Sequence, residues 1–118
     1  MRLRAGQRLK RSVDFRAARE QGRRMDCGAF QLIWRTPPAD AVPGPARVGV
    51  VASRVAVGNA VQRNRAKRRL RELYRRNQHL VPAGSDLVLT ARAALLRIDF
   101  SEATARFVQA CGRISAHA

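Results

Sequence analysis

The chain has 118 residues, 46% of them apolar, which suits one domain with one core and excludes a disordered basic tail. Its 24 basic residues against 8 acids leave a formal charge of +16, so the expected partner is a polyanion. No stretch approaches the roughly 18 apolar residues of a membrane span, and no secretory apolar run follows the basic start, so the expected location is the cytoplasm, with no membrane partner.

Residues 1–11 are basic and without period, and predict a flexible basic arm. Ser12 predicts an N-cap for a short helix over Val13 to Glu20, with Gly22 as its stop. There is room for a short extra strand near Met25. From Ala29 to Arg35 the residues alternate, with Phe30, Leu32 and Trp34 on a core face and Gln31 and Ile33 on the other. Residues 36–45 contain four prolines and predict a loop. Residues 46–53 read as a buried strand. Asn59 and Gln62 then form a capping-box pair for a long helix running to about Asn77, before Pro82. Asp86 to Arg92 is another strand, centred on Leu87, Val88 and Leu89. Ser101 predicts the cap of a last helix that buries Ala103, Phe107, Ala110, Cys111 and Ile114. The fold class is therefore α/β, a single compact domain over residues 1–118 in the order α-β-β-(β)-α-β-α.

The long helix carries the clearest functional pattern. Eight of residues 63–76 are basic and only Glu72 is acidic. At about 100° per residue, Ala66, Leu70 and Leu73 fall on one stripe with Tyr74 at its edge. Asn64, Arg68, Arg71 and Arg75 fall on the opposite side. One face is thus expected to dock on a core while the other presents guanidinium groups to nucleic acid. Glu72 can pair with Arg68 or Arg76 at a spacing of four, or with Arg69 at three, but one acid cannot neutralise eight bases. Arg63 lies about 60° from the apolar seam, so it either supports the sheet in part or reaches over its edge.

Nothing in the chain reads as a catalytic constellation. The acids are scattered, with no pair at the spacing of a two-metal nuclease, and no Ser/His/Asp or Cys/His set is recognisable. Cys27 and Cys111 lack CxxC spacing, and His79 and His117 complete no ligand set, so no metal site is expected and both thiols should be reduced.

The run Gly58-Asn59-Ala60-Val61-Gln62-Arg63-Asn64-Arg65-Ala66-Lys67-Arg68-Arg69-Leu70-Arg71-Glu72 closely resembles the signature of the bacterial ribonuclease P protein subunit, G-x-A-V-x-R-N-x-x-K-R-x-x-R-E. Arg8-Leu9-Lys10 with Asp14-Phe15, then Arg47-Val48-Gly49, then Asp86-Leu87-Val88 resemble further segments of that family in register. The resemblance implies a left-handed β-α-β crossover through the arginine-rich helix, where general chirality alone favours the right-handed form. It implies an RNA-binding subunit of an endoribonuclease that removes the 5′ leader of precursor tRNA. The implied partners are the catalytic RNA and precursor tRNA, with no obligate protein partner evident, and the implied cofactor is Mg²⁺ held mainly by the RNA.

Carried onto this chain, the RNA-binding residues would be Arg54, Arg63, Asn64, Arg65, Lys67, Arg68, Arg71 and Arg75. The 5′-leader cleft would take Phe15, Arg19, Gln31, Ile33 and Arg92. Phe15 remains open between leader stacking and an ordinary core anchor. Three departures stand out: Arg54 is alone where relatives carry a basic pair, Arg19 stands where a second aromatic is common, and Ala93 follows Arg92. The alternative is a small basic ribosomal or other structural RNA-binding protein. A DNA-binding module is a weaker rival, since no helix-turn-helix spacing precedes the arginine helix.

Overall fold

The structure, a computed structural model, describes residues 12–35 and 44–117. The basic arm and most of the proline-rich loop expected from the sequence lie outside the described residues. In chain order the elements are α1 (Ser12–Gln21), β1 (Arg23–Asp26), β2 (Phe30–Arg35), β3 (Arg47–Val51), α2 (Ala60–Asn77), β4 (Asp86–Ala91) and α3 (Phe100–His117). Short 3₁₀ turns at Gln78–Leu80 and Ala93–Leu96 follow α2 and β4.

The sheet order is β1-β2-β4-β3. The β1/β2 and β2/β4 pairs are antiparallel, whereas β3 and β4 are parallel and joined through α2. Register explains the two faces. Leu89 stands opposite Leu32 and Val50, and Leu87 opposite Trp34 and Val48, so these residues share one side of the pleat. That side packs with Leu70, Leu73 and Tyr74 of α2 and with Phe107 and Ile114 of α3. On the reverse side Ile33 and Val88 pack with Ala18 of α1, with Phe15 and Val51 at the margin. The domain is therefore three layers, α1 over the sheet over α2 and α3.

Local chemistry fixes the joints. The Gly22 N–H donates to the Ala18 carbonyl at 2.7 Å, closing α1. A Cβ at Gly22 would come within 2.3 Å of that oxygen and 2.8 Å of Ile33 Cγ2, so only glycine lets the helix end sit this close to β2. Before α2, Gly58 takes φ +132°, and the expected capping box forms: Asn59 Oδ1 accepts from the Gln62 N–H at 2.9 Å, and Gln62 Oε1 from the Asn59 N–H at 2.9 Å. Asp86, buried at the start of β4, accepts from Nε and Nη2 of Arg47, each at 2.9 Å, which pins β3 to β4.

The start of α3 corrects the sequence reading. The helix begins at Phe100, so Asp99 rather than Ser101 precedes it, and the Asp99 carbonyl accepts from the Glu102 and Ala103 N–H groups, each at 3.1 Å. Aspartate is as good a residue as serine at that position. Phe100 packs against the main core as the first helical residue, and Arg76 lies over its ring at 5.0 Å from the centroid.

Candidate nucleic-acid interface

The roll of α2 is set by its buried side. Ala66, Leu70, Leu73, Tyr74 and Asn77 are all buried, the Tyr74 hydroxyl donates to the Ala46 carbonyl at 3.2 Å, and the Asn77 amide donates to the Leu73 carbonyl at 2.8 Å. Burial pushes the Tyr74 hydroxyl up to about 12, so it stays a neutral donor. With that seam fixed, Asn64, Arg65, Arg68 and Arg71 are turned outward and exposed, and Lys67 lies half-buried at the edge. Arg54 is exposed in the turn just before the helix, which is closed by Val57 N–H to Ser53 O at 2.9 Å and Ala56 N–H to Ser53 Oγ at 3.1 Å.

Two expected members of the comb are placed differently. Arg63 is half-buried, and its Nε–H is buried with no hydrogen-bond partner among the described residues. On the helical wheel it stands between Leu70 and Tyr74, which explains its place in the seam. Arg75 is half-buried against Glu72: its Nε donates to Oε2 at 3.1 Å and its Nη2 pairs with Oε1. Arg76 Nε donates to Oε1 at 2.7 Å. Bonding to Arg75 and then Arg76 pulls the Glu72 carboxyl down to about 2. Pairing of Glu72 with Arg75, not weighed from the sequence, thus withdraws Arg75 from the outer face.

Arg69, expected only as a partner for Glu72, has another role. Its Nη1 donates to the carbonyls of Leu95 at 2.7 Å and Ile98 at 3.0 Å, tying α2 to the turn that leads into α3. The sequence held no signal for this, because the acceptors are backbone atoms of an aperiodic segment.

A second feature lies across the sheet. Phe15, Arg16, Arg19, Glu20 and Val51 line a groove of about 550 Å³ between α1 and the sheet margin at β3. Phe15 is half-buried, so it both packs beside Ala18, Ile33 and Val88 and presents ring surface to the groove. Arg19 lines it as expected. Ile33 is only 2% exposed beneath α1, a support for that helix and not an open cleft floor. Gln31 is half-buried on the same sheet face, opposite Thr90, and does not line the groove. Arg92 lies elsewhere too: its Nη1 donates to Asp26 Oδ1 at 2.7 Å and reaches Gly28 O at 3.4 Å, locking the β1–β2 turn. The Gly28 N–H and then Arg92 hold the Asp26 carboxyl below its ordinary range.

Among the described residues no donor set fits a Mg²⁺ ion. Asp26, Glu72, Asp86 and Glu102 are each engaged by an arginine, and no three His, Cys, Asp or Glu side chains converge among the described residues. The half-buried Cys27 and buried Cys111 thiols are both pushed up by desolvation, Cys111 to about 12, which keeps them protonated and poorly nucleophilic. None of the described helices is long and apolar enough to cross a membrane.

One outward guanidinium face on a packed helix, with a separate groove that joins an aromatic ring to arginines, defines a small α/β protein built to hold nucleic acid. Known proteins narrow this class. The ribonuclease P family profile matches residues 3–115. The ribonuclease P protein component of Salinispora tropica is 42% identical, with 75% of this chain and 76% of that protein covered. That of Acidothermus cellulolyticus is 36% identical, with 92% and 88% covered. The solved structure of the Thermotoga maritima ribonuclease P protein superposes with a TM-score of 0.75 at 28% identity, covering 90% of this chain and 96% of that one. The chain belongs to the ribonuclease P protein family, the protein components of an endoribonuclease.

Proposed function

We propose that this chain is the RNA-binding subunit of a cytoplasmic ribonuclease P, in which α2 docks on the catalytic RNA and the α1 groove holds the 5′ leader of precursor tRNA. The observation that carries this reading is the outward face of Asn64, Arg65, Arg68 and Arg71 on a helix whose other side is locked into the core. Exposed guanidinium groups at this density repel one another, and a phosphate backbone relieves that repulsion. Arg54 and Lys67 extend the face at its end and edge. Asn64 adds an amide that can donate and accept at backbone or base edges.

The chain positions, and the RNA reacts. In this reading Mg²⁺ and hydrolysis of the phosphodiester belong to the RNA: Asp26, Glu72, Asp86 and Glu102 are committed to arginines, and no metal-binding cluster forms among the described residues. Phe15 stacks on an unpaired leader base while Arg16 and Arg19 neutralise the leader backbone, which orients precursor tRNA relative to the docked helix. The test compares precursor with mature tRNA. The RNA–protein complex should favour the precursor more strongly than the RNA alone does, and an equal preference with and without the protein would contradict the proposal.

A further inference from the structure

Glu20 is out of place in a groove meant only for a phosphate backbone. Asp26, Glu72, Asp86 and Glu102 are held by arginines. Glu20 is exposed on the groove wall and makes no ion pair or hydrogen bond with its groove neighbours Arg16 and Arg19, although Arg16 stands one turn before it. A carboxylate with no arginine partner among the described residues repels phosphate, and within an RNA strand its chemical match is a group that donates hydrogen bonds. In a single-stranded leader those groups are the free Watson–Crick edges of the bases.

The pattern of donors selects among bases. An ionised carboxylate only accepts, and it does so with two oxygens. Guanine offers two adjacent donors, N1–H and the N2 amino group. Adenine and cytosine set one amino donor beside a ring-nitrogen acceptor, and uracil sets one N–H between two carbonyls. Guanine alone satisfies both oxygens without facing one of them with an acceptor.

Placement along α1 agrees. Phe15, Arg19, Arg16 and Glu20 occupy an arc of about 140°, with the aromatic ring and the carboxylate at its two ends and the guanidinium groups between. Five residues of helix set the two apart by about 7.5 Å along the axis, and both line the same groove, where a leader base would lie between them.

We infer that Glu20 makes the α1 groove selective for guanine in the 5′ leader, accepting from N1–H and the N2 amino group of a base stacked on Phe15. This rests on the leader-groove reading above. Arg16 and Arg19 then hold the flanking phosphates, so charge supplies affinity and Glu20 supplies identity.

The experiment uses the complex of this chain with a ribonuclease P RNA and a set of precursor tRNAs in which each leader nucleotide in turn is guanosine, inosine or adenosine. At one leader position guanosine should bind about tenfold tighter than adenosine, with inosine, which lacks the N2 amino group, in between. Glu20→Gln replaces one acceptor by a donor and matches the amino group and N1 of adenine, so the preference at that position should invert. Glu20→Ala should abolish it. Absence of a guanosine-preferring position, or an identical preference in both variants, overturns the inference. If the wild-type complex favours precursor over mature tRNA without base preference, only the role of Glu20 fails. If it binds the two alike, the leader groove fails with it.

Discussion

Arg68 and Arg69 are neighbours in α2 with opposite expected phenotypes. Arg69 gives one guanidinium nitrogen to two carbonyls, Leu95 O at 2.7 Å and Ile98 O at 3.0 Å, in a partly buried setting. Hydrogen bonds to a charged donor contribute about 1.5–3 kcal/mol each, and two that share one nitrogen do not add in full. Taking about 2 kcal/mol for Arg69→Ala gives a fall in Tm of roughly 10 °C for a domain of this size. Arg68 is exposed, so Arg68→Ala should move stability by no more than about 0.5 kcal/mol. Binding to the catalytic RNA should show the reverse order. Loss of Arg68 removes about one phosphate contact and flattens the slope of log K against log salt by about 0.7–0.9, whereas Arg69→Ala should keep the full slope below its melting temperature. Thermal melts by circular dichroism, with filter binding at several salt concentrations, measure both. If Arg68→Ala melts as early as Arg69→Ala, or leaves the slope unchanged, the assignment of the two faces of α2 is wrong.

Phe15→Ala should weaken precursor tRNA binding by about fivefold or more while leaving mature tRNA binding alone, in line with the loss of a base–aromatic stack; equal losses for both ligands would point to a purely packing role. Gly22→Ala should cost about 1–3 kcal/mol in urea unfolding, because its Cβ meets backbone oxygens of Ala18 at 2.3 Å and Trp34 at 2.9 Å; a neutral result would refute the close approach of α1 to β2. Glu72 has its folded-state carboxyl depressed from 4.5 to about 2, so its stabilising contribution is complete above about 4.5 and is lost as pH falls towards 2. Glu72→Gln should therefore flatten the dependence of stability on pH across that window, and an unaltered acid limb would show that the pairs with Arg75 and Arg76 contribute nothing.

Periodicity made most of the fold legible. Phe30, Leu32 and Trp34 are core residues because a strand buried on a helix layer must alternate, and the capping pair Asn59–Gln62 is local chemistry that sequence displays directly. The long helix was readable for the same reason, since Ala66, Leu70 and Leu73 leave it one way to lie on the sheet. What escaped depends on neighbours remote in sequence or on competition among like residues. Ile33 faces away from the main core, as its parity requires, but α1 covers it. Arg92 finds Asp26 across a turn 66 residues away in sequence. Arg69 and Arg75 look like Arg68 in composition, and only the carbonyls of Leu95 and Ile98 and the carboxylate of Glu72 tell them apart. Glu20 was passed over because one acid in a short helix carries no pattern until the groove around it is seen.

The central claim is that the chain lends binding and orientation to chemistry performed by RNA. Cleavage of precursor tRNA at low Mg²⁺ by a bacterial ribonuclease P RNA, with and without this protein, tests it most directly. The protein alone should cut nothing, the RNA alone should be slow, and the two together should release the 5′ leader rapidly and leave a 5′-phosphate on the mature tRNA. Cleavage by the protein alone, or no stimulation of the RNA by it, would contradict the account.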